Sequence, residues 1–298
     1  MTDPDDDERE AALLARLDSA GVLGVVSLEK TSGGLAARAY LARRGDGSAV
    51  FVKTIPGEPL PGAFAAEAEG LRALSELGGA RTPEVLHVDE HVIALEALRP
   101  RPAEADFWER LAHVMVRLHS STQSERFGWE HDGWLGRRRQ VNTWTEDGFE
   151  FFAEHRLLRW LDEVPVLEAL GPDYVDALEH LCSRLPELLP AKPASLTHGD
   201  FWMQNVLATS GGEPALIDPA VSYTWAEVDL AHVWTTAPPP EAAVFFERYA
   251  ELTGLDAGWR ERMPILQLRQ HLAVLAQYGD EWGTGEAVRS TLEPFVRR

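Results

Sequence analysis

The sequence is poor in cysteine and in lysine. Its 298 residues include one cysteine, Cys182, and three lysines, although 28 residues are basic. A single cysteine excludes an internal disulfide framework and a cysteine-rich zinc site, and it fits a reducing, cytoplasmic location. Because nearly all basic side chains are arginines, the lysines Lys30, Lys53 and Lys192 are candidates for a specific chemical role.

Long apolar runs and an excess of basic charge are missing as well. No run approaches the roughly 18 residues of a membrane span, and 48 acidic residues outnumber the basic ones to give a net charge of −20. An acidic chain repels a nucleic-acid backbone and an anionic membrane, so we expect neither as a partner. Residues 1–10 hold no signal-peptide pattern, and we interpret them as an acidic disordered tail.

The rest of the composition, 45% hydrophobic and 26% charged, is typical of a soluble globular protein. Strand-like segments alternate with turn signals up to residue 98, and helical periodicity dominates after Pro102. The predicted strands are residues 22–28, 36–42, 49–54, 84–88 and 92–97. The predicted helices are residues 8–20, 63–78, 104–120, 146–161, 171–189, 226–234, 240–252, 259–278 and 285–296.

These patterns predict an α+β fold with two lobes. Residues 11–98 would form a small lobe, a five-stranded sheet with one inserted helix. Residues 99–298 would form a larger, mostly helical lobe that is interrupted by one β-like stretch at about 195–218. The length fits one large domain or two modest ones.

The most informative segment runs from His198 through Gly199 and Asp200 to Asn205, and Asp218 follows on the next strand turn. Phosphoryl transfer needs a carboxylate beside the attacking hydroxyl and oxygen ligands for Mg²⁺ on the phosphates. We therefore interpret Asp200 as the catalytic base and Asn205 and Asp218 as metal ligands.

The remaining parts of a nucleotide site precede this segment in the expected order. Lys53 ends a strand-like run and could reach the α- and β-phosphates, and Glu67 on the next helix could pair with it, although Glu69 competes for that role. Gly33 and Gly34 could let backbone amides approach phosphates. Each feature alone also has a purely structural explanation, but their combination favours a kinase-like site.

The sequence resembles the fructosamine kinase (ketosamine-3-kinase) family, within the protein-kinase-like superfamily that includes aminoglycoside phosphotransferases. His-Gly-Asp in place of His-Arg-Asp is the form of aminoglycoside and choline kinases. The segments that carry the closer resemblance are Ser32-Gly33-Gly34 with Ala39-Tyr40, Phe51-Val52-Lys53, Phe64-x-x-Glu67, Phe127-Gly128-Trp129, Leu135-Gly136, Gln140-Val141-Asn142-x-Trp144, Phe151-Phe152-Ala153-Glu154-x-Arg156, Ile217-Asp218-Pro219-Ala220-Val221, Glu227-x-Asp229, Gly258-Trp259-x-x-Arg262 and Tyr278-Gly279.

The resemblance implies a protein-kinase-like fold and ATP- and Mg²⁺-dependent phosphorylation of a sugar hydroxyl of a ketosamine, a deglycation repair. The adenine would lie on the backbone of Glu96, Ala97 and Leu98. A sugar adduct, free or protein-bound, would contact a small set of side chains in the helical lobe. These candidates are Trp202, Gln140 and Asn142.

The chain departs from the family pattern in the catalytic loop, where Met203-Gln204 replaces the usual Ser-Gly pair. This change keeps two other interpretations open. One is a phosphotransferase for an aminoglycoside or another amino sugar, and the other is a nucleotide-binding pseudokinase. The retained set of Lys53, Glu67, Asp200 and both metal ligands argues against the pseudokinase. The sequence does not distinguish ATP from GTP.

Overall fold

The N-terminal lobe contains the predicted five-stranded sheet. The computed structural model describes residues 4–31, 37–55 and 57–297. The elements of this lobe are α1 (Pro4–Ser19), β1 (Val25–Thr31), β2 (Arg38–Arg44), β3 (Ala49–Thr54), α2 (Ala63–Glu76), β4 (Val85–Val88) and β5 (Val92–Glu96). All neighbouring strands are antiparallel, in the order β1-β2-β3-β5-β4.

The sheet has an apolar surface on each side, and one helix covers each. Val50 and Val52 of β3 pack in a cluster with Leu13 and Leu17 of α1. On the other side, strand residues such as Ile93 pack in a cluster with α2. The alternation of side chains along a strand explains both surfaces.

Helix α1 begins at Pro4, so it includes residues 4–10 of the segment that we interpret from the sequence as a tail. A proline is well tolerated in the first turn of a helix, where its missing N–H would have no helical partner. The helix that the sequence predicts from residue 8 therefore extends one turn further toward the N-terminus.

The C-terminal lobe is mostly helical and surrounds one large apolar core that includes Phe107, Trp108 and Phe245. Its helices are α3 (Ala105–Ser121), α4 (Gly148–Phe152), α5 (Val164–Leu170), α6 (Pro172–Ser183), α7 (Leu185–Leu188), α8 (Glu227–Thr235), α9 (Ala243–Thr253), α10 (Trp259–Tyr278) and α11 (Thr284–Leu292). Its strands are β6 (Gln123–Ser124), β7 (Gly133–Leu135), β8 (Arg138–Gln140), β9 (Ala194–Thr197), β10 (Val206–Ala208), β11 (Pro214–Leu216) and β12 (Ser222–Thr224).

Several elements differ from the sequence prediction. The predicted helix over 146–161 is α-helical only in α4 and continues as a π turn over Ala153–Leu157 and a 3₁₀ turn over Leu158–Asp162. Helix α5 and the β7–β8 hairpin are additional elements. The β-like stretch at 195–218 divides between two small sheets, β12-β9-β6 and β10-β11.

These two small sheets position the chemical groups. Strand β9 leads directly into His198. Asn205 precedes β10 and Ile217 follows β11, so the two residues are neighbours at the open end of the β10–β11 hairpin, where the Ile217 N–H donates to the Asn205 carbonyl at 3.1 Å. In the described part of the chain, no helix is long and apolar enough to cross a membrane.

Candidate active site

The catalytic loop follows β9 and turns sharply at Gly199. This glycine has a φ of +77°, and a Cβ at its position would lie 2.0 Å from the carbonyl oxygen of Ala220. The Ala220 N–H donates to the His198 carbonyl at 2.9 Å. Only glycine combines the left-handed backbone with this close approach, so it brings the catalytic loop against the segment after Asp218.

Asp229 of α8 anchors the same loop. Its carboxylate accepts hydrogen bonds from the backbone N–H groups of His198, at 2.8 Å, and Gly199, at 2.9 Å, and His119 Nε2 lies 3.1 Å away. Burial alone would raise the pKa of Asp229, but the hydrogen bonds and the neighbouring histidines lower it overall. These contacts make Asp229 a structural partner of the loop, together with His119, which is buried beside it.

His198 is fully buried, and its two ring nitrogens have different partners. The Asp200 N–H donates to Nδ1 at 3.2 Å, so Nε2 carries the proton and donates to the Ile217 carbonyl at 2.8 Å. Burial lowers the pKa of His198 to about 4. A neutral imidazole therefore connects the catalytic loop to the strand end that carries Asp218.

Asp200 stands at the end of this loop with a partly exposed side chain. Its Oδ2 accepts from Asn205 Nδ2 at 3.1 Å, and its Oδ1 accepts from Gln270 Nε2 at 2.6 Å. Burial raises the pKa of Asp200 to about 6, and the charge of Arg269 and these hydrogen bonds oppose the increase. A carboxyl group whose pKa lies near neutral pH is suited to act as a general base.

Asn205 and Asp218 lie at adjacent ends of the β10–β11 hairpin. Asn205 uses its amide nitrogen for both of its hydrogen bonds to Asp200, at 2.8 and 3.1 Å, so its amide oxygen is the atom available to a cation. Asp218 has a left-handed backbone with a φ of +56°, which is unusual outside glycine and is found at functional turns. Its side chain is 25% exposed.

Lys53 of β3 connects the sheet to this hairpin. Its ammonium lies 2.9 Å from Glu67 Oε1 of α2 and also contacts Asp218 Oδ1. The lysine side chain is only 6% exposed, so both ion pairs are shielded from water and hold the two lobes together at the site. Glu69, the competing acid, instead accepts from Trp129 Nε1 at 2.8 Å.

One cleft of about 1070 Å³ contains these groups. Lys53, Glu67, Asp200, Asn205 and Asp218 all line it. The charged residues of the lining are six acids and two bases: Glu67, Glu69, Glu130, Asp132, Asp200, Asp218, Lys53 and Arg139. The cleft is therefore acidic, which favours a cationic ligand group near its walls.

Oxygen donors are the groups that a magnesium ion prefers, and the cleft offers the Asn205 amide oxygen and the Asp218 carboxylate. Magnesium commonly uses one or two protein carboxylates and takes its other ligands from phosphates and water. This donor set fits Mg²⁺ bound together with a nucleotide. Among the described residues, no cluster of three or more His, Cys, Asp or Glu side chains could hold a metal without such help.

The backbone segment that we expect to contact the adenine, Glu96 to Leu98, is not among the described residues that line this cleft. Strand β5 ends at Glu96, and the Glu96 carboxylate accepts from Arg81 and from the Glu84 N–H, at 3.2 Å for the latter. Ala97 and Leu98 continue into the connection to α3 and do not line the cleft. Gly33 and Gly34 lie outside the described residues.

The three expected substrate-binding residues differ in placement. Trp202 lines the cleft and stacks on His232, with ring centroids 6.2 Å apart. Gln140 is buried, and its amide bonds to Arg269 and to the Ala220 carbonyl. Asn142 also lines the cleft, but its amide bonds to Arg156 and to the His131 carbonyl. Both amides are committed to protein partners, and these contacts support a structural role for them.

The substitution of Met203-Gln204 for Ser-Gly leaves the loop geometry intact. The Met203 side chain packs into the core of the helical lobe, and its carbonyl accepts from Arg101. Gln204 is exposed. The short 3₁₀ turn Met203–Asn205 keeps Asn205 beside Asp200, so the bulkier pair does not separate the two chemical groups.

Three residues near Asp200 are not predicted from the sequence. Arg269 and Gln270 of α10 and His232 of α8 lie at Asp200 or at its loop. The sequence predicts their helices, but no motif marks these three positions. Apolar periodicity shows which surface of a helix is buried, and it does not show that polar residues on that surface face a catalytic loop.

Comparison with known proteins points to one family. The profile of the fructosamine kinase family matches residues 16–294. The "probable ketoamine kinase" YniA of Escherichia coli K12 is 34% identical over 224 residues, which cover 73% of this chain and 76% of YniA. A chloroplastic protein-ribulosamine 3-kinase of japonica rice is 26% identical over 261 residues, which cover 85% of this chain and 74% of the rice protein.

The solved structures agree with this assignment. A crystal structure from Thermobifida fusca, described as that of a fructosamine-3-kinase, superposes with a TM-score of 0.82 at 30% identity. The match covers 94% of this chain and 98% of the Thermobifida chain, so the similarity includes both lobes.

Proposed function

The chain belongs to the fructosamine kinase family, and from this premise we propose that it transfers the γ-phosphoryl group of ATP to a sugar hydroxyl of a ketosamine. The family has the bilobal protein-kinase-like fold described above, and its members are phosphotransferases that act on a hydroxyl group. The observation that supports the proposal most strongly is the convergence of Asp200, Asn205, Asp218 and the Lys53–Glu67 pair in one acidic cleft.

Lys53 and the hairpin residues are proposed to bind the nucleotide. The Lys53 ammonium would contact the α- and β-phosphates, and Glu67 would hold it in place through their 2.9 Å ion pair. Asn205 and Asp218 would hold Mg²⁺, which neutralises charge on the phosphates when it is bound. Gly33 and Gly34 are proposed to cover the phosphates, and the backbone of Glu96, Ala97 and Leu98 to contact the adenine.

Asp200 is proposed to orient the acceptor hydroxyl and to accept its proton. Its carboxylate is held by Asn205 and Gln270, and its backbone by the Asp229-anchored loop. Such positioning is the main task of the protein in phosphoryl transfer, because the reaction requires little covalent help.

A ketosamine is proposed as the acceptor for two reasons. Its secondary amine is cationic near neutral pH and matches a cleft whose lining has six acids and two bases. The half-buried ring of Trp202 can pack against a sugar beside Asp200. Phosphorylation of such an adduct would serve deglycation repair. An aminoglycoside also carries cationic amines, so this acceptor class remains the second candidate on the same observation.

An acceptor panel tests the proposal. Purified enzyme with Mg²⁺ and either ATP or GTP is offered fructosyl-lysine, ribulosyl-lysine, a glycated protein and an aminoglycoside, and phosphate on each product is measured by mass spectrometry. We expect transfer to at least one ketosamine. Nucleotide binding without transfer to any acceptor would favour the pseudokinase, and transfer to the aminoglycoside alone would favour the second candidate.

Two substitutions test the site. We expect Asp200→Asn to lower kcat by about 10²- to 10⁴-fold, the usual contribution of a general base, and Asp218→Ala to abolish turnover while both proteins keep their circular dichroism spectra. The control is Asp176→Asn, which changes an exposed carboxylate on α6 and should retain full activity. Undiminished transfer by either site variant would contradict the assignment of that residue.

A further inference from the structure

The two oxygens of the Asp200 carboxylate have unequal surroundings. Oδ1 accepts a short hydrogen bond from Gln270 Nε2, at 2.6 Å, and also lies 3.5 Å from His232 Nδ1. Oδ2 accepts from Asn205 Nδ2 at 3.1 Å. The donors on the Oδ1 side come from α10 and α8, two helices outside the catalytic loop.

The orientation of the Gln270 amide is set by its neighbour Arg269. A guanidinium can only donate, and Arg269 Nη1 lies 3.0 Å from Gln270 Oε1. The oxygen of the amide must therefore face Arg269, and the nitrogen must face Asp200. Arg269 is itself fixed by bonds to the Gly199 carbonyl and to Gln140.

His232 is held in place by stacking and burial. It is 7% exposed, and its ring is nearly parallel to that of Trp202, with an angle of 14° between their planes. Its Nδ1 is buried and has no hydrogen-bond partner within the described ranges 4–31, 37–55 and 57–297. A lone pair on Nδ1 would repel the carboxylate oxygen 3.5 Å away, so the Nδ1–H tautomer is favoured and points a donor toward Oδ1.

An incompletely formed contact of this kind is common in catalytic sites without substrate. Catalytic hydrogen bonds are often long in the free enzyme and shorten in the complex. A small rotation of the Asp200 carboxylate toward α8 would convert the 3.5 Å separation into a hydrogen bond. Oδ1 would then have two neutral donors, and its lone pairs would be occupied.

We propose that Gln270 and His232 are positioning residues that hold Asp200 by Oδ1 and leave Oδ2 as the oxygen that receives the acceptor proton. This inference rests on the proposed kinase function. In the step, the acceptor O–H proton moves to Oδ2, a bond forms between the acceptor oxygen and the γ-phosphorus, and the bond from that phosphorus to the bridging oxygen breaks. ADP leaves with that oxygen.

Paired substitutions separate this role from a structural one. Gln270→Met keeps the length of the side chain and removes the donor, whereas Gln270→His returns an N–H at a similar reach. His232→Phe keeps a ring for stacking on Trp202, and His232→Asn returns a donor near the position of Nδ1. The controls are the same exchanges at exposed sites, Gln123→Met on β6 and His113→Phe on α3.

We expect Gln270→Met and His232→Phe each to lower kcat by about 10- to 100-fold, the effect of losing a hydrogen bond to a charged group. The KM for ATP should stay within about twofold, because neither residue is proposed to contact the nucleotide. Gln270→His and His232→Asn should recover most of the lost kcat. The control variants should match the wild type, and melting temperatures should show that all variants are folded.

The outcomes distinguish this inference from the proposed function. Wild-type enzyme that phosphorylates none of the ketosamines contradicts the proposed function and this inference with it. Active wild-type enzyme with unchanged kcat in Gln270→Met and His232→Phe overturns the inference alone. Loss of kcat that the donor-restoring variants do not recover also overturns it, because packing rather than hydrogen bonding would then explain the loss.

Discussion

At the scale of single residues, Lys53 has a constrained environment. Its ammonium contacts two carboxylates, Glu67 and Asp218, in a space where its side chain is only 6% exposed. A compact ammonium fits between two carboxylates, whereas a planar guanidinium needs more room and a fixed direction. The presence of a lysine at this position, in a chain whose basic residues are mostly arginines, therefore has a geometric reason.

We expect Lys53→Arg to lower kcat/KM for ATP by about 10- to 100-fold, although the charge is retained. The larger group would displace Asp218 or Glu67 from its present position. The matched control is Lys192→Arg, because Lys192 pairs with Glu227 at 2.7 Å, is 39% exposed and does not line the cleft. Steady-state kinetics with varied ATP measures both. Equal kcat/KM in Lys53→Arg and wild type would contradict this account of Lys53.

The sequence predicts the convergence of Lys53, Asp200, Asn205 and Asp218 better than it predicts the surroundings of Asp200. Asp200 and Asn205 are close in the chain, Lys53 lies near the end of β3, and Asp218 follows β11, so local spacing suffices to suggest them. Gln270 and His232 reach Asp200 only because α10 and α8 pack against its loop. Spacing also does not reveal whether an amide such as that of Gln140 faces a ligand or a buried arginine.

At the scale of elements, the site depends on close contact between two loops. The catalytic loop after β9 and the segment after Asp218 are joined by the bond from the Ala220 N–H to the His198 carbonyl, at 2.9 Å. Gly199 makes this approach possible because it has no Cβ.

Gly199→Ala should therefore affect both stability and turnover. We expect a loss of about 2 kcal/mol or more in the free energy of unfolding, from the left-handed backbone and the clash with the Ala220 carbonyl, and a kcat at least about 10-fold lower because Asp200 moves with the loop. Urea unfolding and steady-state kinetics measure the two effects.

The control for this substitution is Gly212→Ala in the β10–β11 turn. Gly212 also has a positive φ, of +83°, but no atom lies within 4 Å of a Cβ at its position. It should lose about 1 kcal/mol from backbone strain alone and keep its activity. Similar losses in the two variants would show that the close loop contact is unimportant.

The elements that periodicity predicts best are helices with one apolar face, such as α3, which is predicted over 104–120 and found at Ala105–Ser121. The sequence fails where a helix changes its winding. Residues 153–157 form a π turn that directs Arg156 inward, where it donates to the Val141 carbonyl at 2.6 Å and to Ser222 Oγ at 3.1 Å. These partners lie 15 and 66 residues away in the chain, so local pattern contains no information about them.

At the scale of the whole molecule, two buried histidines connect stability to pH. Burial lowers the pKa of His198 to about 4 and that of His232 to about 3. An unfolded histidine has a pKa of about 6.5, so between this pH and the folded pKa of each histidine the unfolded chain binds more protons than the folded chain. The contribution of these two histidines to stability is therefore full above about pH 6.5 and decreases as the pH falls toward their folded pKa values.

As the pH falls from 7.5 to 5.5, each of the two histidines should lower the free energy of unfolding by about 1.4 kcal/mol. The unfolded histidine is protonated over about one pH unit of this range and the folded histidine is not, and one pH unit corresponds to that amount. His232→Asn removes one such group, so its free energy of unfolding should decrease by about 1.4 kcal/mol less than that of the wild type over this range. Urea unfolding at both pH values gives the comparison, with His113→Asn as the exposed control. Identical decreases in all three proteins would contradict a neutral, buried His232.

The overall division into a small sheet lobe and a large helical lobe is predicted from the sequence, because turn signals and strand-like segments end where helical periodicity begins. The predicted boundary near Leu98 falls in the connection between β5 and α3. The start of α1 was predicted less well, since a run of acids is typical of both a solvated tail and a first helical turn.

The placement of the lysines also affects how the protein itself would age in the presence of sugars. Side-chain amines add to the carbonyl group of an aldose, and this chain offers only three such amines, whereas its other 25 basic residues are arginines. Lys53, which is proposed to bind the nucleotide phosphates, is only 6% exposed and pairs with Glu67 and Asp218. A protein proposed to remove sugar adducts from amines thus presents few amines of its own to the same chemistry, and the one in its proposed nucleotide site is nearly buried.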